Sequence, residues 1–254
     1  MNTIYIIIFF ILGTVMGSFY TVVGLRLPKH ENFINSHSHC DSCGHTLSLY
    51  EMIPILSFLL QRGRCRHCHK KIDSLSTYME LFTGILFAVS FYSFSFSYEL
   101  LIALGITSML IIIAVSDLTY LVIPDEILIF FSIYFIIINI LNLGFYKAIL
   151  SIGNGLLLFL IMYLIMLFGN KILKKESLGG GDIKMMFVFG LVLDPLLGVL
   201  SIFLGSLIAL PVSFLLLLKN KEKVIPFGPF LLIAINLIYF TKVTSETIIK
   251  LITF

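Results

Sequence analysis

The chain has 254 residues, of which 59% are hydrophobic and only 12% charged, and its mean hydropathy is +1.05. Those values exclude a water-soluble globular domain and leave a polytopic membrane protein surrounded by lipid. The formal net charge of +3 gives no argument for a nucleic-acid partner, because basic residues here are distributed by topology.

Hydrophobic periodicity and length predict eight segments, at roughly 3–25, 78–97, 100–116, 127–143, 149–170, 184–194, 195–218 and 225–241. No basic region precedes the first and no clear small-residue cleavage site follows it, so it reads as a retained helix rather than a signal peptide. The sixth is too short to span in the ordinary way and is expected to be tilted, half-inserted or covered by neighbours. A polar stretch of about 50 residues between the first and second segments is the candidate extramembrane domain. The expected organisation is therefore an all-α polytopic membrane protein: a first helix at 1–25, a four-cysteine loop domain at 26–76 and a membrane core at 77–254.

The distribution of Lys and Arg orients the segments. With the N-terminus outside, the large loop carries Arg26, Lys29, Arg62, Arg64, Arg66, Lys70 and Lys71 inside. Later inside segments carry Lys171, Lys174, Lys175, Lys184, Lys219, Lys221 and Lys223, and only Lys147, Lys242 and Lys250 of the 17 basic residues remain outside.

All 4 cysteines and all 6 histidines fall in the large loop. The pattern is Cys40-x-x-Cys43, a spacer, then Cys65-x-x-Cys68. Each pair can aim two thiolates at one point, and two such knuckles close a tetrahedral site suited to zinc. Gly44 and Gly63 permit sharp turns beside them. A cytoplasmic position argues against structural disulfides. Reduced, unconnected thiols and a redox dithiol are the alternatives. Four thiolates would leave no open coordination position, so the metal is expected to be structural. His39, His45, His67 and His69 flank the knuckles and read as solvated loop residues.

Two carboxylates stand where apolar segments meet water. Asp117 follows a run of Ile, Ala and Val and precedes a break ending at Pro124, which ends or kinks a helix. Asp182 follows Gly179-Gly180-Gly181, which allow a close-packed backbone beside the charge. A carboxylate at the edge of a membrane segment is costly and marks a functional site by default. If the two lie side by side they share a proton, as in an aspartyl protease. Asp125 reads as a support residue or an N-cap for a helix starting at 126. Glu80, entering the second helix from the cytoplasm, is a candidate partner for a peptide N-terminus.

Taken together these residues resemble the type IV prepilin peptidase family, bifunctional leader peptidases and N-methyltransferases. The resemblance rests on five ordered motifs: Gly17-Ser18-Phe19 through Arg26-Leu27-Pro28; the cysteine loop with Ile53-Pro54-Ile55-Leu56-Ser57; Asp117 through Ile123-Pro124-Asp125; Gly179-x-Gly181-Asp182-x-Lys184; and Ile225-Pro226-Phe227-Gly228-Pro229-Phe230. It implies a Gly-x-Gly-Asp aspartyl protease in a bacterial cytoplasmic membrane, with Asp117 and Asp182 as the catalytic pair, supported by Gly179, Gly181 and Lys184. It implies a type IV prepilin or pseudopilin substrate, whose basic leader is cut at the cytoplasmic face, and zinc on Cys40, Cys43, Cys65 and Cys68. It also implies methylation of the new N-terminus from S-adenosylmethionine, with Gly63 and Arg64 at the position that matters for that step. Thr21 stands where the family often has Asn, which bears on a local hydrogen bond; Arg64 stands where some members have Lys, which bears on methylation, and a protease-only member is the alternative within the enzymes. An ion-coupled transporter would place its carboxylates deep within helices and show repeats. A zinc-dependent scaffold would tolerate loss of both aspartates.

Overall fold

The computed structural model describes residues 2–33, 38–40, 42–174, 178–218 and 225–252. Lys175, Lys219, Lys221 and Lys223 of the topology argument lie outside them. Among the described residues ten α-helices follow one another: α1 (Asn2–Arg26), α2 (Leu56–Leu60), α3 (Leu75–Phe94), α4 (Tyr98–Tyr120), α5 (Asp125–Leu143), α6 (Phe145–Leu173), α7 (Gly180–Val192), α8 (Pro195–Leu218), α9 (Gly228–Thr241) and α10 (Ser245–Ile252). All eight expected membrane segments have a helix. Six described helices are long and apolar enough to cross a membrane, while α9, at 14 residues, and α7, at 13, are shorter. At about 1.5 Å per residue α7 reaches only about 20 Å, against a hydrocarbon core of about 30 Å. It also starts earlier than the apolar run suggested. Gly180 and Gly181 are helical despite their low propensity.

The chain divides into two compact units, Met1–Phe96 and Ser97–Phe254. The boundary expected at residue 76 falls inside the first, because α3 packs along α1. Gly13 and Gly17, one turn apart on α1, permit the approach: a Cβ on Gly13 would lie 2.8 Å from the Gly84 Cα, and one on Gly17 would lie 2.9 Å from the Glu80 Cα. Small residues replace the hydrophobic effect as the means of helix pairing in lipid. Phe9 stacks on Phe91 at 4.7 Å. The buried Thr21 hydroxyl donates to the Gly17 carbonyl of its own helix (2.8 Å), which satisfies it.

In the second unit α4 is the buried centre, with Ala103, Ile111, Ile113 and Val115 fully covered. Polar side chains tie its neighbours together. Thr107 on α4 donates to Asn236 on α9 (3.2 Å), and the Tyr134 hydroxyl on α5 donates to the Leu101 carbonyl (2.8 Å). Asn139 on α5 donates to the Leu191 carbonyl in the last turn of α7 (2.7 Å). That carbonyl is one of the orphans every helix end carries. Here a side chain satisfies it, so α7 can stop short. Gly155 on α6 and Gly190 on α7 let those helices touch backbone to backbone. The amphipathic α10 was not foreseen. Ser245 at its start donates to Asp194 (3.1 Å) in the turn between α7 and α8.

Candidate active site and metal centre

α4 ends just past Asp117. Leu121 takes a left-handed conformation (φ 57°), its N–H donates to the Asp117 carbonyl (2.9 Å), and Pro124 prevents the helix from resuming directly. The Ser116 hydroxyl donates to the Val122 carbonyl (2.5 Å), folding the 121–124 segment back. Ile123 thereby lands on two glycines of other helices. A Cβ on Gly181 would lie 2.8 Å from the Ile123 Cβ, and one on Gly228 would lie 3.1 Å from its Cδ1.

Asp182 is the third residue of α7, and its carboxylate accepts from the N–H of the N-cap residue Gly179, half of a capping box. Asp117 accepts from the backbone N–H of Gly228, the first residue of α9, an amide that has no partner within its own helix. Asp117 and Asp182 are 5% and 7% exposed. The atom that a side chain would add at Gly228 would lie 2.9 Å from Asp117 Oδ2 and 3.5 Å from Asp182 Oδ1. Both carboxylates thus lie against Gly228, an approach that a side chain at residue 228 would crowd. They lie close enough to feel each other's charge. Asp182 Oδ1 is buried with no hydrogen-bond partner among the described residues, and such an atom in a native site calls for an explanation, a catalytic role among them.

Lys184, two residues on, points to a nearly opposite face of α7. Its ammonium pairs with both Asp125 oxygens (2.8 and 2.7 Å), joining α7 to α5. Both side chains are more than half exposed. Asp125 is not the expected N-cap. Pro124 holds that position, and Asp125 is the first helical residue, where its charge suits the helix dipole. Gly228, Ile123 and Ser116 are the parts of this site that residue-by-residue reading of the sequence did not single out. The signal available was that all three lie in or beside the quoted motifs.

In the first unit, the sulfur atoms of Cys40, Cys43, Cys65 and Cys68 all lie within 4.8 Å of one another. The four cysteines are positioned to bind a metal ion. The Cys40 and Cys68 sulfurs are 3.9 Å apart, close to the ~3.8 Å edge of a tetrahedron with metal–sulfur bonds of about 2.3 Å. The two halves are built alike. Cys40 N–H donates to the His45 carbonyl (2.9 Å) and Cys65 N–H to the Lys70 carbonyl (3.0 Å). The residue after each second cysteine is left-handed: Gly44 at φ 71° and His69 at φ 58°. The Ser42 and Cys43 backbone amides pull the Cys40 thiol down to about 7. At Cys43 the His45 amide pulls down, but lost hydration and the neighbouring thiols outweigh it and push the thiol up to about 11. His45 and His67 are not simply solvated: their rings stack at 5.3 Å, and His45 faces Glu51 at 3.5 Å. Gly63 (φ 66°) turns the chain under the Phe58 ring, and Arg64 is exposed. Glu80 accepts from the Ile55 N–H (2.8 Å) and the Ser76 hydroxyl (3.3 Å), so both its oxygens are engaged within its own unit.

A family model for the bacterial peptidase A24 N-terminal domain matches residues 11–94, and one for the type IV leader peptidase family matches residues 104–214. A prepilin leader peptidase/N-methyltransferase of Bacillus subtilis (strain 168) is 35% identical over 227 residues, 87% of this chain and 88% of that protein. The chain belongs to the type IV leader peptidase family. The same-named protein of Myxococcus xanthus (strain DK1622) is 35% identical over 202 residues, 78% of this chain and 59% of its own length. That of Vibrio cholerae is 29% identical over 252 residues, 95% of this chain and 98% of its own. No solved structure matches. The two ranges matched by the leader peptidase models fall one in each compact unit.

Proposed function

We propose that this leader peptidase family member cleaves the basic leader from type IV prepilins or pseudopilins at the cytoplasmic membrane face, with Asp117 and Asp182 as the catalytic pair. The observation that carries the reading is that both buried carboxylates converge on Gly228, with Asp182 Oδ1 unpaired among the described residues. Two carboxylates sharing one space hold one proton between them. The ionised one takes a proton from a water as the water oxygen attacks the scissile carbonyl carbon. The protonated one gives its proton to the carbonyl oxygen. Collapse of the tetrahedral intermediate breaks the C–N bond, and a proton passes to the leaving amine. Asp117 stands in the last turn of α4 and Asp182 in the first turn of α7. Helix ends favour surface proteolysis over a transport relay, which needs carboxylates deep within the membrane. The excess of Lys and Arg on the same side supports a cytoplasmic location.

Zinc is the metal we assign to Cys40, Cys43, Cys65 and Cys68. Four thiolates fill its shell, so its part is to close the two knuckles. N-methylation of the new N-terminus is the second activity we assign. S-adenosylmethionine would supply the methyl group, and the exposed Arg64 guanidinium is suited to holding its carboxylate. Gly63 is accounted for by the Phe58 turn.

The test is cleavage of a prepilin by the solubilised protein beside Asp117→Asn and Asp182→Asn, with mass spectrometry of the product. Each variant is expected to insert normally and to lose about 10²–10⁴-fold or more in rate. Normal cleavage by either variant would rule out the pair. A product heavier by one methylene on adding S-adenosylmethionine establishes methylation, and an unchanged mass leaves a protease-only enzyme.

A further inference from the structure

The stretch between the two cysteine knuckles carries an apolar face. Leu49 and Tyr50, in a 3-10 turn at Leu49–Glu51, are 80% and 77% exposed, and Leu59 and Leu60 of α2 are 62% and 75% exposed. Leu56, also exposed, shares one face of α2 with Leu59 and Leu60 through i, i+3 and i+4 spacing. The other side of α2 is the one that packs, since Phe58 lies on Gly63. Contiguous large apolar side chains left in water mark an interaction surface.

The height of that face is set by a spanning helix. Glu80, less than two turns into α3, is buried and accepts the Ile55 N–H (2.8 Å). Ile55 is held at positive φ (φ 62°, ψ −52°), a conformation that a β-branched residue avoids. α2, which begins at the next residue, is thus fastened about 8 Å along α3 from its start, beside the first turns of a helix long and apolar enough to cross a membrane. The charges that follow it in the chain are mainly basic, with the exposed Asp73 the exception at the start of α3. Arg62, Arg66, Lys70 and Lys71 are exposed, and among the described residues of 42–72 the single carboxylate, Glu51, is buried. Two Ser48 hydrogen bonds hold that carboxylate below its usual range.

We infer that Leu49, Tyr50, Leu56, Leu59 and Leu60 dock into the lipid surface at the end of α3, with the neighbouring basic side chains on anionic phospholipid headgroups. Apolar side chains set among cations at interface depth are the combination that binds an anionic bilayer, and a tyrosine suits the boundary. A basic leader peptide would be repelled by the same charges. The docking would hold the metal-bearing knuckles against the membrane. It stands whichever reaction the aspartates perform.

The chain contains no tryptophan, so Leu60→Trp introduces a single fluorophore. The full-length variant, in nanodiscs of phosphatidylcholine with and without phosphatidylglycerol, is quenched by lipids brominated near the headgroup and, separately, by acrylamide. Phe130→Trp, at an exposed position on the spanning α5, checks folding and the bromolipid response. The expected result is strong bromolipid quenching and weak acrylamide quenching of Trp at position 60 in anionic discs. Each of Arg62→Gln, Lys70→Gln and Lys71→Gln should lower the docked-to-free ratio about fivefold. Full acrylamide quenching in both compositions would overturn the inference. Protection from both quenchers would overturn it too, since protein would then cover the face.

Discussion

Gly228→Ala puts one methyl group into the space that the two aspartates border. The added carbon would lie 2.9 Å from Asp117 Oδ2 and 3.1 Å from Ile123 Cδ1, but 3.5 Å from Asp182 Oδ1. Ordinary carbon–oxygen contacts lie near 3.3–3.6 Å and carbon–carbon contacts near 3.5–4.0 Å. Either the Asp117 carboxylate or the start of α9 must therefore retreat by about half an ångström. Retreat also stretches the Gly228 N–H bond to Asp117. A misplacement of about 1 Å at a catalytic group costs about 10²-fold, so a loss in kcat of about 10- to 10²-fold is expected. Stability should change much less. Overpacking costs about 1–3 kcal/mol, and the gain in helix propensity from Gly to Ala, at most about 1 kcal/mol, offsets part of it. The assay is initial-rate prepilin cleavage beside thermal melts. Gly153→Ala serves as the control, because a Cβ there meets nothing within 4 Å. If Gly228→Ala cleaves at the wild-type rate while Gly153→Ala does the same, the space at residue 228 is not where the chemistry occurs.

Asn139→Leu removes the donor to the Leu191 carbonyl and should lower stability by about 1–2 kcal/mol. An unchanged melt would mean that carbonyl finds another partner. Lys184→Met breaks a pair whose members are both more than half exposed, so the melting midpoint should move by less than about 1 kcal/mol equivalent. A larger loss would assign Lys184 a buried role. Cys65→Ser should abolish stoichiometric metal retention after gel filtration, measured by elemental analysis, because Cys65 is the buried member of the four. Full retention would show that three thiolates and another ligand suffice.

The sequence by itself determined the membrane class, the eight apolar segments and the four-cysteine cluster. Those features are local: a run of apolar residues declares its own burial, and Cys-x-x-Cys brings two thiolates together within one turn of chain. What the tertiary structure decided depends on residues far apart in the chain. Asp117 and Asp182 each looked like a helix end. Only the packing of α4, α7 and α9 places both beside Gly228, whose missing side chain is uninformative until its neighbours are known. Glu80 looked available to a substrate until the fold brought the Ile55 N–H to it. Asp125 looked like a cap until Lys184 arrived from another helix. Short-range periodicity encodes how much of a segment is buried, but a pairing between helices rests on complementary shapes, which no single segment carries.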